Sequence, residues 1–74
     1  MEQTAWIATS EQEPEFGKEV LLCTEDSEGR RRIIIGELTR DFFYVRYSLG
    51  EGAVNLQKHG ERVTHWMPLP SLPR

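Results

Sequence analysis

Three side chains are soft enough to hold a transition metal: Cys23, His59 and His65. They fall far apart, with neither Cys-x-x-Cys nor His-x-x-x-His spacing, so no metal site is expected. Nucleophilic chemistry at Cys23 would need an electropositive surrounding. The residues that follow it are instead Thr24, Glu25 and Asp26. Carboxylates such as Glu11, Glu13 and Glu15 lie in a polar stretch with no apolar flanks, and a carboxyl pKa rises only on burial. Gly50-Glu51-Gly52 lacks the Lys-Ser/Thr and the strand-loop-helix setting of a phosphate loop. The expectation is therefore a chain with no enzymatic motif and no cofactor.

Binding chemistry is better represented. Arg30, Arg31 and Arg32 are consecutive, and Arg40 and Arg46 fall on neighbouring segments with Tyr44 and Tyr47. Cationic side chains interleaved with aromatic ones are what a single-stranded nucleic-acid platform requires. The simpler reading is that the three arginines blunt a strand end and balance Glu25, Asp26 and Glu28 across a hairpin. Pro70-Ser71-Leu72-Pro73-Arg74 faintly has the form of a Pro-x-x-P ligand, but such strings are common by chance and a plain terminal tail is the simpler reading.

The whole-chain balance points the same way. The sequence has 74 residues and a formal charge of −3, whereas a dedicated nucleic-acid-binding domain is usually basic. Residues 1–28 carry a net −7 and residues 29–74 a net +4, which reads as two halves that neutralise each other. A single cysteine can form no internal disulfide, so a reducing cytoplasm is expected. No signal peptide or membrane-spanning run is visible. Apolar residues make up 38% of the chain, a thin supply for a core, and small domains of this kind often depend on a partner or a second copy.

The elements that must position these side chains read as strands in one domain covering residues 1–74. Trp6-Ile7 suits a short edge strand, and residues 9–18, with Pro14 and Gly17, read as a loop. Val20–Cys23 is a compact apolar run closed by the turn residues Asp26-Ser27-Glu28-Gly29. Arg31–Leu38 is β-branched and Phe42–Tyr47 is aromatic, both favoured on a pleated surface. Short polar turns between these three segments predict an antiparallel meander. Residues 48–61 read as a mobile loop with a weak strand around Ala53–Leu56, and Arg62–Met67 as a last strand. Residues 68–74 read as a proline-rich tail.

Ile33 and Ile35 alternate with Ile34, and Phe43, Val45 and Tyr47 alternate with Phe42 and Tyr44, so both faces of the sheet are apolar. Both should then be covered, by closure into a barrel-like or two-layer sheet or by a dimer, with little or no helix. Trp6 and Trp66 are expected in the core, with the terminal strands as neighbours.

Trp6-Ile7, Ser10-Glu11, Pro14, Val20-Leu21 and the closing run Val63-Thr64-His65-Trp66-Met67-Pro68-Leu69-Pro70 form a pattern. It resembles a family of small domains of unknown function encoded by tailed phages and prophages of enteric bacteria. Glu13 stands where that family often has leucine. The resemblance implies phage origin and an accessory role. It implies no reaction, and His65, Trp66 and Met67 carry over only as motif members. The expected function is a non-enzymatic interaction module in the host cytoplasm. Its partner would be a host or phage protein, or a second copy, with no membrane involved; nucleic acid bound through the arginines is the alternative.

Overall fold

Asp26 and Gly29 set the first hairpin. The Asp26 carboxylate accepts the backbone N–H groups of Glu28 and Arg30 at 2.9 and 3.0 Å. Gly29 turns the chain at φ +83°, a conformation that side-chain-bearing residues rarely adopt. In the computed structural model, which describes residues 6–70, this turn joins two of six strands. They are β1 (Ile7–Ala8), β2 (Val20–Asp26), β3 (Arg31–Leu38), β4 (Tyr44–Ser48), β5 (Gly52–Asn55) and β6 (Glu61–Pro68). All belong to one antiparallel sheet in the order β1-β6-β2-β3-β4-β5.

The mostly-β architecture and the β2-β3-β4 meander are as the sequence predicts. The terminal strands are indeed neighbours, with Ile7 opposite Trp66 and Ala8 opposite His65. That pairing does not close a barrel: β1 and β5 end the sheet on opposite sides. The only helical element among the described residues is a single 3-10 turn, Gln57–His59.

Several boundaries differ from expectation, β2 for one running on to Asp26 instead of ending at Cys23. The third strand begins at Tyr44 rather than Phe42. Phe42 takes φ +67° to reverse the chain, and its N–H donates to the Thr39 carbonyl at 2.9 Å. Its ring meets Phe16 edge to face, 5.1 Å between centroids. Within residues 48–61 the weak strand expected around Ala53–Leu56 is β5, Gly52–Asn55, and the 3-10 turn follows it where loop was expected. Pro68, assigned to the tail, ends β6 opposite Val20; residues 71–74 of that tail lie outside the described residues.

Inside the sheet, Val20, Leu22 and Thr24 of β2 point to one face and are essentially inaccessible to solvent. Two chain segments cover this inner face. The first is the loop after β1, which contains the buried Pro14. It is tied down by Trp66 Nε1–H donating to the Gln12 carbonyl at 2.8 Å and Gly17 N–H donating to the Leu38 carbonyl at 2.9 Å. The second carries Leu56, whose N–H donates to the Tyr44 carbonyl. Leu56 joins Val20, Leu22 and Trp66 in the core, with Ile7, Ile34, Tyr44 and Val63 packed around them.

A bulge in β6 makes this possible. Cys23 faces His65, yet the next residue, Thr24, faces Val63, leaving Thr64 as the extra residue. The extra residue lets Val63 and Trp66, three apart, both turn inward. A glycine sets the opposite bend: a Cβ on Gly36 would stand 2.3 Å from the Val45 carbonyl oxygen and 2.8 Å from Leu22 Cδ1. Only a residue with no side chain lets β4 approach β3 so closely there.

The outer face is not covered. The expectation that both faces would be buried fails at the centre of this one, where Ile33 is 63% exposed, Ile35 52% and Tyr47 55%, although Val45, opposite Glu37 on the same face, is buried. Trp6, expected in the core, is 38% exposed, whereas Trp66 is buried. The physical difference is position, since Trp66 lies on the central side of the β1-β6 pair and Trp6 precedes the two-residue edge strand.

Candidate functional site: an arginine-lined end and a bare sheet face

The Arg30–Arg32 run lies at the end of the sheet where β2 gives way to β3, and alternation divides it. Arg30 belongs to the turn, where it pairs with Asp26 at 3.1 Å and Glu28 at 3.0 Å. Its backbone N–H is the main reason the Asp26 carboxyl is held below its usual pKa. Arg31 points outward and lies 3.7 Å from Glu25, which also receives Arg62 at 3.4 Å. Arg32 points to the inner side and pairs with Glu61. Each of the three arginines therefore meets a carboxylate, in mostly exposed pairs of small individual worth.

Arg46 reaches the same end from β4. Together with Asp26, Arg30, Arg31, Arg32 and Glu61 it lines an open hollow of about 670 Å³. The Arg46 Nε and one Glu61 carboxylate oxygen are buried without a hydrogen-bond partner within the chain. Arg40, by contrast, sits in the β3-β4 turn at the other end of β3 and is exposed.

The two tyrosines of the expected aromatic platform do not share a surface. Tyr44 packs toward the core, and burial, aided by the charge of Glu13, pushes its hydroxyl up to about 12. Tyr47 is three residues on and faces out, where the neighbouring Glu37 carboxylate raises its pKa. The structure thus gathers Arg30, Arg31, Arg32 and Arg46 at one end, and leaves Arg40, Tyr44 and Tyr47 elsewhere.

The potential metal ligands are also placed. Cys23 and His65 are direct neighbours across β2-β6, while His59 lies in the 3-10 turn. The His65 ring is engaged through Nδ1 with the Thr64 hydroxyl at 2.9 Å. No group of three or more candidate ligands occurs among the described residues. Nor is any helix there long and apolar enough to cross a membrane.

The most extensive uncommitted surface is one the sequence patterns hinted at without locating. On the outer face Leu21 sits opposite Ile35 and Met67, and Cys23 opposite Ile33 and His65. Leu21, Cys23, Ile33, Ile35 and Met67 form an apolar strip across β6, β2 and β3, with His65 at its edge. The polar groups divide by end. Glu25, Arg31 and Arg62 sit together where β2 finishes, a net +1, and Glu19 and Glu37 sit where it starts, a net −2. Period-two alternation carried the signal for this strip; which of the two apolar faces the loops would cover was not in it.

No curated protein and no solved structure matches the chain. The family model described as "Protein of unknown function (DUF551)" matches residues 5–74. With its ends and its centre all inside that match, this six-stranded sheet belongs to the DUF551 family.

Proposed function

We propose that this chain is a non-enzymatic protein-interaction module of phage or prophage origin, acting in the cytoplasm of the bacterial host through the outer face of its sheet. The observation that carries the reading is the exposure of Ile33 and Ile35 at the centre of that face, beside Leu21, Cys23 and Met67. Isolated apolar side chains on a surface are ordinary, but a contiguous apolar patch marks an interaction site. Its ends carry charge and its centre does not, the layout of a contact surface with a dry core and a polar rim. The phage origin is supported by the Thr64–Pro70 closing motif and the opening Trp6-Ile7 motif. The arginine-lined end supports nucleic-acid binding less well, because three of its four guanidinium groups, those of Arg30, Arg31 and Arg32, already meet carboxylates.

The test compares capture by the immobilised wild-type domain with capture by the Ile33→Ser/Ile35→Ser variant, using lysate of an enteric host with and without phage genes. A saturable protein partner lost with the variant is the expected result. Equal capture by both proteins, or retention of nucleic acid alone, would overturn the reading.

A further inference from the structure

Resting on the reading that the outer face is a contact surface, we infer that its occupant is a second copy of this chain, packed face to face about a two-fold axis perpendicular to the strands. Two copies then make a two-layer β-sandwich, with the sheets about 10 Å apart and the side chains of their outer faces interdigitated. The covering that the alternating sequence calls for on both faces is completed by the partner rather than by closure of the sheet.

Charge placement selects this axis. The outer face is polarised along the strands, with the Glu25-Arg31-Arg62 end net positive and the Glu19-Glu37 end net negative. A two-fold axis parallel to the strands would lay acidic end on acidic end. An axis perpendicular to them reverses one sheet over the other and sets each positive end against the partner's negative end. Such an interface is isologous, so each favourable contact occurs twice. With the axis over the Leu22-Ile34 rung, Ile33 of one copy lies over Ile35 of the other and Arg31 over Glu37. The register that places these residues is the direct β2-β3 pairing, Leu22 with Ile34, Leu21 with Ile35 and Cys23 with Ile33. The apolar rows meet each other, and where Glu25 of one copy comes over Glu19 of the other the Arg31 and Arg62 guanidinium groups beside Glu25, at 3.7 and 3.4 Å, offset that like-charge pair.

Cys23 is the sole cysteine, so the wild-type chain carries its own reporter. It is part-buried on the outer face, and the sandwich covers it, whereas pairing through the edge strands β1 or β5 leaves it as it is in the monomer.

Sedimentation equilibrium over a wide concentration range, run beside the rate of Cys23 labelling by a small thiol reagent, tests the arrangement. The expected result is a mass that climbs from the 8.6 kDa monomer toward twice that value, with Cys23 labelling slowing along the same curve. Ile33→Glu should hold the mass at the monomer. Glu37→Arg should weaken association at least several-fold at low salt, and adding Arg31→Glu to it should restore much of the loss. Circular dichroism of each variant at dilute concentration separates lost association from lost folding, and the restoring double variant keeps the charge argument testable if Ile33→Glu does not fold. A monomer at every concentration, a dimer with unprotected Cys23, or no restoration by the second charge reversal would each overturn the inference. If the chain stays monomeric yet captures another protein in an Ile33- and Ile35-dependent way, the face is an interface and only the self-pairing is wrong. If it does neither, both readings fall together.

Discussion

The two faces of the central sheet are made by the same three strands and draw on the same residue types, yet they have opposite fates. On the inner side, Val20, Leu22 and Trp66 are sealed by a loop that crosses the sheet and by Leu56 arriving from the far edge. On the outer side, Leu21, Ile33 and Ile35 alternate with them residue for residue and no segment of the described chain lies over them. Hydrophobicity therefore does not distinguish core from contact surface in this molecule. The connections do. Both covering segments lie on the same side of the sheet, and among the described residues no third segment crosses the other side.

This contrast can be broken most severely from the inside. Leu22→Ala removes a fully buried side chain next to Trp66 and Leu56 and should cost about 2–5 kcal/mol of folding stability. Chemical denaturation, performed dilute enough to exclude association, measures it. Gly36→Ala comes next, because the new methyl group collides with the Val45 carbonyl. A loss of about 1–3 kcal/mol is expected. Amide hydrogen exchange should show β4 and β5 losing protection well before β2 and β6.

Trp66→Phe keeps most of the apolar bulk but removes the indole N–H that holds the Gln12 carbonyl. About 1 kcal/mol should be lost, with faster exchange concentrated in the covering loop. If the loop were an ornament rather than a lid, its exchange would not change. The outer face should respond least: Ile35→Ala in the dilute monomer should shift stability by under about 0.5 kcal/mol, and an effect as large as that of Leu22→Ala would show that the face is already covered.

A pH titration sharpens the same comparison through two tyrosines. Tyr44 is pushed from its usual 10.0 up to about 12, chiefly by burial, so the folded chain holds this proton more tightly than the unfolded chain. Its contribution to stability is complete below pH 10.0 and is lost as the pH rises toward about 12. Tyr44→Phe should flatten that alkaline decline, measured by urea unfolding at a series of pH values. The exposed Tyr47, whose raised pKa comes first from Glu37, keeps its own share in the variant. An unchanged alkaline profile in Tyr44→Phe would mean that its hydroxyl is not buried in the folded protein.

Much of the fold was legible before any coordinates. β3 spans Arg31–Leu38 as its β-branched run predicts, and Asp26-Ser27-Glu28-Gly29 is the turn its residue types suggest. These features depend on local chemistry alone: side-chain branching, turn hydrogen bonds and the freedom of glycine. The arginine pairing with Glu25, Asp26 and Glu28 was also readable, because a tight hairpin makes residues close in sequence close in space. Features set by distant contacts were not. β4 starts at Tyr44, two residues later than its aromatic run suggests, because nothing local marks Phe42 as the residue that turns backward to meet Phe16. The Thr64 bulge is equally silent in sequence, since its reason is the need to turn both Val63 and Trp66 toward the same core.

The sequence by itself determined that this protein would be an antiparallel sheet with two apolar faces. Alternation with period two and the turn residues suffice for that, and both are properties of neighbouring residues. Only the tertiary structure decided which face became the core, because that choice rests on where the loop after β1 and the segment after β5 cross the sheet. Those crossings are fixed by single long-range bonds such as Trp66 to Gln12 and Gly17 to Leu38. The same crossings leave Ile33 and Ile35 at the surface.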